Sequence, residues 1–149
     1  MSDNVISPFQ IKDWRILEFR SINPIIHIPP NIEHKWKMKA HIQKIESENN
    51  QLRAVIQIEF HFVAEYDNQK MMIDGQCVAM CEMNTDSVKN AETVFQDLLI
   101  HTAMPHCLAN LRVFLLQVGI LHQMGSKSIM LPFINLNNFV FDEEMTFTS

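Results

Sequence analysis

The first half of the chain alternates between apolar and polar residues with a period of two. The clearest run extends over residues 52–64, where every second residue is apolar and most of the residues between them are polar or charged. Similar runs extend over residues 36–42 and 71–83, and a less regular one over residues 9–22. Successive side chains of a strand point to opposite faces, so the pattern predicts four antiparallel strands with one covered face.

Two kinds of connection separate the predicted strands. The breaks at residues 48–50 and 67–69 are short and polar, which predicts hairpins and therefore a meander. The segment from Asn23 to His34 contains three prolines, which lack the N–H that a strand interior requires. We therefore predict that this segment is a loop that crosses between strands.

The second half of the chain changes to helical spacing. Apolar residues recur every three or four positions from Val88 to Thr102, and Ser87 is a suitable N-cap. Pro105 fits the first turn of a second helix, which is densely apolar as far as Met124. A helix that is apolar around most of its circumference is usually buried by more than its own sheet.

Taken together, these patterns predict one α+β domain across residues 1–149. It is a four-stranded antiparallel meander followed by helices packed on one face. The chain has only 3 glycines, none in a nucleotide-binding GxGxxG or P-loop pattern. Its 17 acidic residues exceed its 12 lysines and arginines, so it lacks the basic balance typical of nucleic-acid binders.

Composition also bears on the compartment. Three cysteines, an odd number, do not indicate a secreted disulfide framework. Residues 1–8 lack the features of a signal peptide, and the longest apolar stretch, residues 108–121, is shorter than the ~20 residues of a membrane span. We expect a cytoplasmic protein that does not associate with membranes.

Candidate chemistry is sparse in this sequence. Cys77 and Cys81 share a predicted strand face but would lie about 13 Å apart, too far to bind one zinc ion together. His101, His106 and Cys107 cluster at the predicted helix junction, without the HExxH or CxxC spacing of common metal sites. We predict no metal and no cofactor, and retain a metal or small-ligand enzyme that uses residues 101–107 as an alternative.

Two apolar segments do not fit regular elements. Residues 23–30 and residues 129–141 are rich in apolar side chains, interrupted by proline and without a period. Either these segments pack back as parts of the core, or they line a groove for extended, non-native chains or for a second subunit. The residues alone do not decide between these two interpretations.

The C-terminal segment carries the most specific motif. Gly125 is followed by Leu-Pro-Phe-Ile-Asn-Leu at residues 131–136 and, after four further residues, by Phe-Asp at 141–142. This resembles the SecB-type protein-export chaperones, whose motif is a helix-ending Gly, then Phe-Pro-x-Leu-Asn-Leu, then Phe-Asp. The opening Phe-Gln-Ile at residues 9–11 and Trp36 also resemble that family. The likeness covers nearly the whole chain, with four extra residues before the motif.

The resemblance implies a dimer of dimers in which sheets pair across subunits and helices pack between dimers. It implies a holdase that binds unfolded polypeptide clients without ATP, in protein export, and that is not an enzyme. The apolar residues that we predict for the client-binding groove are Ile25, Ile26, Ile28, Trp36, Met124, Met130, Phe133 and Phe139.

The partner implied by the resemblance is the translocation motor SecA, which typical members bind through acidic residues on the outer sheet face. Glu18 and Asp74 fall near two of those positions, but Ile22 occupies a third and a basic stripe lies nearby. SecA docking is therefore the implied property that this sequence matches least. Alternatives are a SecB-like protein that works with a toxin–antitoxin system, and an oligomeric adaptor of the same fold with one folded partner.

Overall fold

The computed structural model describes residues 7–29, 32–121 and 131–148, which form an antiparallel sheet with a long helix on one face. The strands are β1 (Phe9–Ile22), β2 (His34–Glu48), β3 (Gln51–Tyr66), β4 (Gln69–Asn84) and β5 (Met145–Thr148). Their order across the sheet is β1-β4-β3-β2-β5. The predicted α+β fold is confirmed.

Strands β1 and β2 follow each other in sequence but lie far apart in the sheet. Strands β2, β3 and β4 form the predicted meander, and β1 pairs with β4 at the other side. The segment between β1 and β2 therefore crosses the sheet, as its prolines predicted. Its residues pack against the same core as the inner face of the sheet.

The predicted number of four strands was wrong, because β5 adds a fifth strand beside β2. It has only four residues, too few for an alternating pattern to stand out. Two glutamates directly precede it, and an acidic run near a chain end is usually solvated rather than paired in a sheet.

Asparagine and aspartate form both hairpin turns of the meander. Asn49 and Asn50 have φ angles of 50° and 58°, and Asp67 and Asn68 have 51° and 61°. Positive φ at both central residues defines the type I′ turn that suits the twist of two-residue hairpins. Asn and Asp tolerate this left-handed conformation better than other residues with a Cβ atom, so the meander closes without glycine.

The inner face of the sheet carries the core. Alternate residues of β2, β3 and β4 are almost fully buried, whereas the residues between them form a polar outer face. On that outer face Lys39 lies opposite Glu59, and Arg53 Nε lies 3.1 Å from Glu82 Oε1. The largest fully buried side chains of the sheet are Trp36, Met38, Leu52, Ile56, Ile58, Phe62, Met71, Ile73 and Met83.

A single continuous helix, rather than the two predicted, covers the inner face. It consists of α1 (Ala91–Leu98), a π-helical turn (Leu99–Ala103) and α2 (Met104–Leu121). Pro105 cannot donate a backbone hydrogen bond, and its ring clashes with a carbonyl one α-helical turn earlier. The wider π turn accommodates the proline, and the Met104 N–H donates to the Leu99 carbonyl, five residues back.

The start of the helix also differs from the prediction. Helix α1 begins at Ala91 after Asn90, which has a left-handed backbone (φ 53°) and makes no side-chain capping bond. Ser87, the predicted N-cap, lies in the preceding turn with a φ of 66°. That prediction was wrong because Ser87 belongs to the turn that connects β4 to α1, four residues before the helix begins.

The π turn keeps one helix face on the sheet. Buried residues recur at steps of three or four on both sides of the π turn, and the adjacent Ala103 and Met104 are both buried where that turn ends. By length and composition alone, the helix over Ala91–Gly119 is also long and apolar enough to cross a membrane. A core helix passes the same test, and we interpret it as one because its buried face packs on the sheet.

Candidate functional site

The crossing loop between β1 and β2 is anchored by some of its isoleucines and presents another to solvent. Ile25 is buried, and Ile28 packs against the core while half-buried. The Asn23 side-chain oxygen accepts a hydrogen bond from the Ile25 N–H at 3.0 Å, which fixes the bend. Ile26 is 87% exposed. The loop is thus held by its neighbours while it presents one large apolar side chain.

The segment after the helix has the same construction. Leu131 and Phe139 are buried, whereas Phe133 is 89% exposed. The ring of Phe139 lies 4.7 Å from that of Phe141 in an edge-to-face contact. Asn135 accepts a hydrogen bond from the Asn137 N–H at 3.1 Å and starts a short 3-10 turn, Leu136–Asn138. An ordered backbone therefore carries an exposed aromatic ring.

Arg112 of α2 holds this segment against the helix. Its Nε donates to the Leu131 carbonyl at 3.1 Å, and its Nη2 donates to the Pro132 carbonyl at 2.9 Å. The guanidinium carbon lies 4.5 Å from the centre of the Phe133 ring, a cation–π distance. Partial burial lowers the pKa of Arg112, which nevertheless stays charged. The sequence carries no local sign of this role, because the partners of Arg112 are backbone atoms 19 and 20 residues away.

Trp36 belongs to the core rather than to an exposed surface. It is 1% exposed, and its ring centre lies 4.7 Å from that of Phe62. Its indole N–H is buried and finds no acceptor in the described part of the chain. Such an unpaired donor costs free energy, so it marks a place where packing is imperfect.

The eight residues predicted for the groove thus fall into different environments. Ile26 and Phe133 are exposed, Ile28 is half-buried, and Ile25, Trp36 and Phe139 are buried. Met124 and Met130 lie outside the described residues. Each segment therefore buries some of its side chains in the core and exposes another. The part of these residues in client binding remains a prediction.

Glu18 and Asp74, predicted to dock a partner, line one depression on the outer sheet face. Asp74 is hydrogen-bonded to His61 across the β3–β4 ladder and lies opposite Arg20 in the β1–β4 ladder. Lys37 and Lys39 line the same depression. The surface is therefore of mixed charge, and one of its two predicted acidic groups already has a basic partner.

The residues at the helix junction do not converge on one point. His101 and His106 are exposed and contact Asp97 and Asn110, each one helical turn away, whereas Cys107 is buried. Within the described ranges, no group of three histidine, cysteine or acidic side chains is placed to hold a metal ion. This region supplies no observation that favours the enzyme alternative.

The three cysteines are buried free thiols. Burial raises the pKa of Cys77 to about 12 and that of Cys81 to about 11. The pKa of Cys107 rises through burial and also through the nearby Cys77 and Cys81. Thiols with such pKa values are almost wholly protonated at neutral pH, so they are poor nucleophiles and poor metal ligands.

Helix α2 also exposes apolar side chains away from the sheet, in line with the apolar circumference noted in its sequence. Val113 and Leu116 are 58% and 40% exposed on α2. The half-buried Phe114 contacts Phe19 of β1 edge to face, with ring centres 5.1 Å apart. Leu17 and Ile22 of β1 are also exposed. The Phe19–Phe114 contact brings β1 beside the exposed residues of α2, and exposed apolar side chains close to each other are typical of interaction sites.

Comparison with known proteins confirms the fold. No protein-family model and no curated protein sequence matches the chain. Among solved structures, it is similar to the Mycobacterium tuberculosis SecB-like chaperone Rv1957, solved in complex with a ChAD peptide from the Rv1956 HigA1 antitoxin. The TM-score is 0.64 at 12% sequence identity, and the match covers 85% of this chain and 90% of that one.

A second solved structure is more distant. It is a protein of unknown function from Streptococcus agalactiae, with a TM-score of 0.49 and 14% identity over 84% of this chain and 97% of that one. The comparison with the SecB-like chaperone defines the class of structure: this chain has a SecB-like fold, as the C-terminal motif predicted.

Proposed function

We propose that this protein is an ATP-independent holdase-type chaperone that binds unfolded or non-native polypeptides. The observation that carries the proposal is the exposure of Ile26 and Phe133 on two anchored segments. Each lies beside core residues and hydrogen-bonded turns, so the exposed side chains are held in place rather than left on loose chain. Burial of one such side chain by a client contributes about 1.5–3 kcal/mol.

The fold supports the same proposal. The SecB-like chaperone that this chain resembles was solved with a peptide bound, so a polypeptide ligand is compatible with the fold. A binding surface of exposed apolar side chains requires little sequence specificity, which suits varied clients. We also propose that the chain works in the cytoplasm, where unfolded clients are abundant.

The direct test is light scattering by an unfolded model client diluted into buffer without ATP. We expect a stoichiometric excess of this protein to slow the aggregation of the client. Addition of ATP is expected to leave that effect unchanged. Unaltered light scattering in the presence of excess protein would contradict the proposal.

A second candidate is an oligomeric adaptor that serves one folded partner. The observation in its favour is that the SecB-like chaperone of similar fold was solved with a peptide from one antitoxin, which is a single defined partner. Affinity capture separates the two candidates, because a holdase retains many unfolded proteins and an adaptor retains a single folded one. Capture of one folded protein, together with unaltered client aggregation, favours the adaptor.

The proposal does not extend to SecA docking. Asp74 is engaged by His61, and lysines line the same depression as Glu18. A partner that recognises acidic residues there would meet a surface of mixed charge. Protein export therefore stays the part of the resemblance with the least support from this surface.

A further inference from the structure

The outer edge of β2 is only partly covered. Strand β2 extends over fifteen residues, but β5 pairs with no more than Lys35–Met38. One further backbone hydrogen bond, from the Asp142 N–H to the Ala40 carbonyl at 2.8 Å, continues this contact. Beyond Ala40, no other strand of the described chain pairs with this edge. Unpaired N–H and C=O groups at a sheet edge are a template for another strand.

Strand β5 is held by half-buried packing and by polar contacts of exposed side chains, among them His41 Nδ1 to Asp142 Oδ1 at 2.5 Å just before the strand. Its inward residues Met145 and Phe147 are half-buried, and Thr146 and Thr148 are exposed. The ion pair between Lys37 and Glu144 spans 3.8 Å with both side chains about half exposed, so it contributes little. A strand of four residues at an edge belongs to the least stable part of a fold.

Packing beneath β5 is also incomplete. Phe147 lies directly across the ladder from Trp36, and Met145 lies across from Met38. Trp36 and Met38 are each 1% exposed, and the Trp36 indole N–H has no acceptor within the described residues. Since β5 is their neighbour at the edge of the sheet, its departure would uncover two large apolar side chains and an unpaired donor.

We propose that the outer edge of β2 is a docking site for an extended strand of a bound polypeptide, and that β5 occupies this site when no partner is present. This inference rests on the proposed function and specifies one route by which a client is held. A client strand can pair with residues 35–43, up to the irregularity after Gln43. That paired length is greater than the four residues with which β5 pairs.

The edge determines the chemistry of the partner strand. Large apolar side chains at every second position would take the places of Met145 and Phe147. Lys35, Lys37 and Lys39 lie on the outer face of β2, so acidic or hydroxyl side chains fit the intervening positions. The preferred ligand is therefore an extended peptide in which apolar residues alternate with Thr, Ser or Glu.

Because β5 competes for the same edge of β2, it lowers the apparent affinity of the protein for a client peptide. Because β5 belongs to the same chain, its effective concentration at the edge is on the order of millimolar. The apparent Kd equals the intrinsic Kd divided by the fraction of molecules with an open edge. Weakening β5 is therefore expected to tighten peptide binding, and fixing it in place is expected to weaken that binding.

A reversible lock tests the proposal in the full-length protein. Lys37 and Thr146 lie directly opposite each other, at the Cα separation that a disulfide requires. The variant Lys37→Cys/Thr146→Cys is compared in its oxidised and reduced forms. The probe is a fluorescein-labelled ten-residue peptide with Phe or Val alternating with Thr or Glu. Fluorescence anisotropy is expected to show at least tenfold weaker binding to the oxidised form.

A second variant opens the edge. Phe147→Ser removes an inward side chain of β5 and is expected to tighten peptide binding about tenfold, while the exposed Thr148→Ser control leaves it unchanged. Thermal unfolding checks that each variant is folded. If Phe147→Ser does not fold, the comparison of oxidised with reduced protein decides the question.

The outcomes separate this inference from the proposed function. Equal peptide affinity of the oxidised and reduced forms overturns the edge site, and the holdase proposal then stands if the wild type slows client aggregation. Lock-dependent peptide binding without any effect on aggregation supports the edge site and overturns the holdase proposal.

Discussion

Gly75 occupies a position on the inner face of β4 where no side chain fits. A Cβ atom there would collide with the Phe60 ring and lie 2.8 Å from the Glu18 carbonyl oxygen. The Glu18 backbone borders an irregularity in the pairing of β1 with β4. The sequence alone does not indicate this role, because a lone glycine in an alternating run carries no sign of what covers it.

Gly75→Ala is expected to lower the free energy of unfolding by about 1–3 kcal/mol, as overpacking of a tight core does. Chemical denaturation measures the loss. Ala79→Gly is the comparison on the same strand face, since it removes a methyl group instead of adding one. An unchanged denaturation midpoint for Gly75→Ala would show that Phe60 and β1 move aside freely.

At the scale of elements, the hairpin turns are the features that the sequence predicts best. Their geometry depends on two residues each, and Asn or Asp between alternating runs indicates it locally. The π turn in the helix could not be predicted in this way, because it depends on how the helix lies on the sheet. Strand β5 could not be predicted either, because a strand of four residues at a sheet edge is stabilised mainly by its pairing with the adjacent strand.

The β2–β3 turn gives a prediction at this scale. Asn50→Gly is expected to raise the free energy of unfolding by about 0.5 kcal/mol, because glycine adopts positive φ without steric cost. Asn50→Val is expected to lower it by about 1–2 kcal/mol for the opposite reason. Thermal unfolding of both variants checks the order of stability. Equal stability of the two variants would contradict the type I′ turn.

In the candidate site, the sequence predicts which segments are unusual but not which of their side chains are exposed. The proline-broken segments were recognised as unusual, since their composition and lack of period are visible in the sequence. Which of Ile25 and Ile26 faces solvent depends on one bend fixed by Asn23. The exposure of Phe133 likewise depends on hydrogen bonds from Arg112, which is remote in sequence. Tertiary contacts of this kind leave no local pattern.

In the whole molecule, α2 and β1 expose apolar side chains to water, and burial of these side chains against a partner would be favourable. We propose that these side chains pack against further copies of the chain, as the predicted dimer of dimers requires. Native mass measurement is expected to give a tetramer for the wild type. Val113→Glu/Leu116→Glu is expected to give smaller species, whereas the exposed Gln96→Glu control keeps the wild-type mass. A monomeric wild type would contradict this assembly.

In the proposed holdase, Ile26 and Phe133 present apolar surface to unfolded chains, and a client aggregation assay measures the effect of removing that surface. The measurement compares Ile26→Ser/Phe133→Ser with Met80→Ser, which removes a partly exposed apolar side chain from the opposite, outer face of the sheet. We predict that the double variant needs at least tenfold more protein to slow aggregation, because each lost contact contributes about 1.5–3 kcal/mol. Met80→Ser is expected to match the wild type. Equal protection by the double variant and the wild type would contradict the claim.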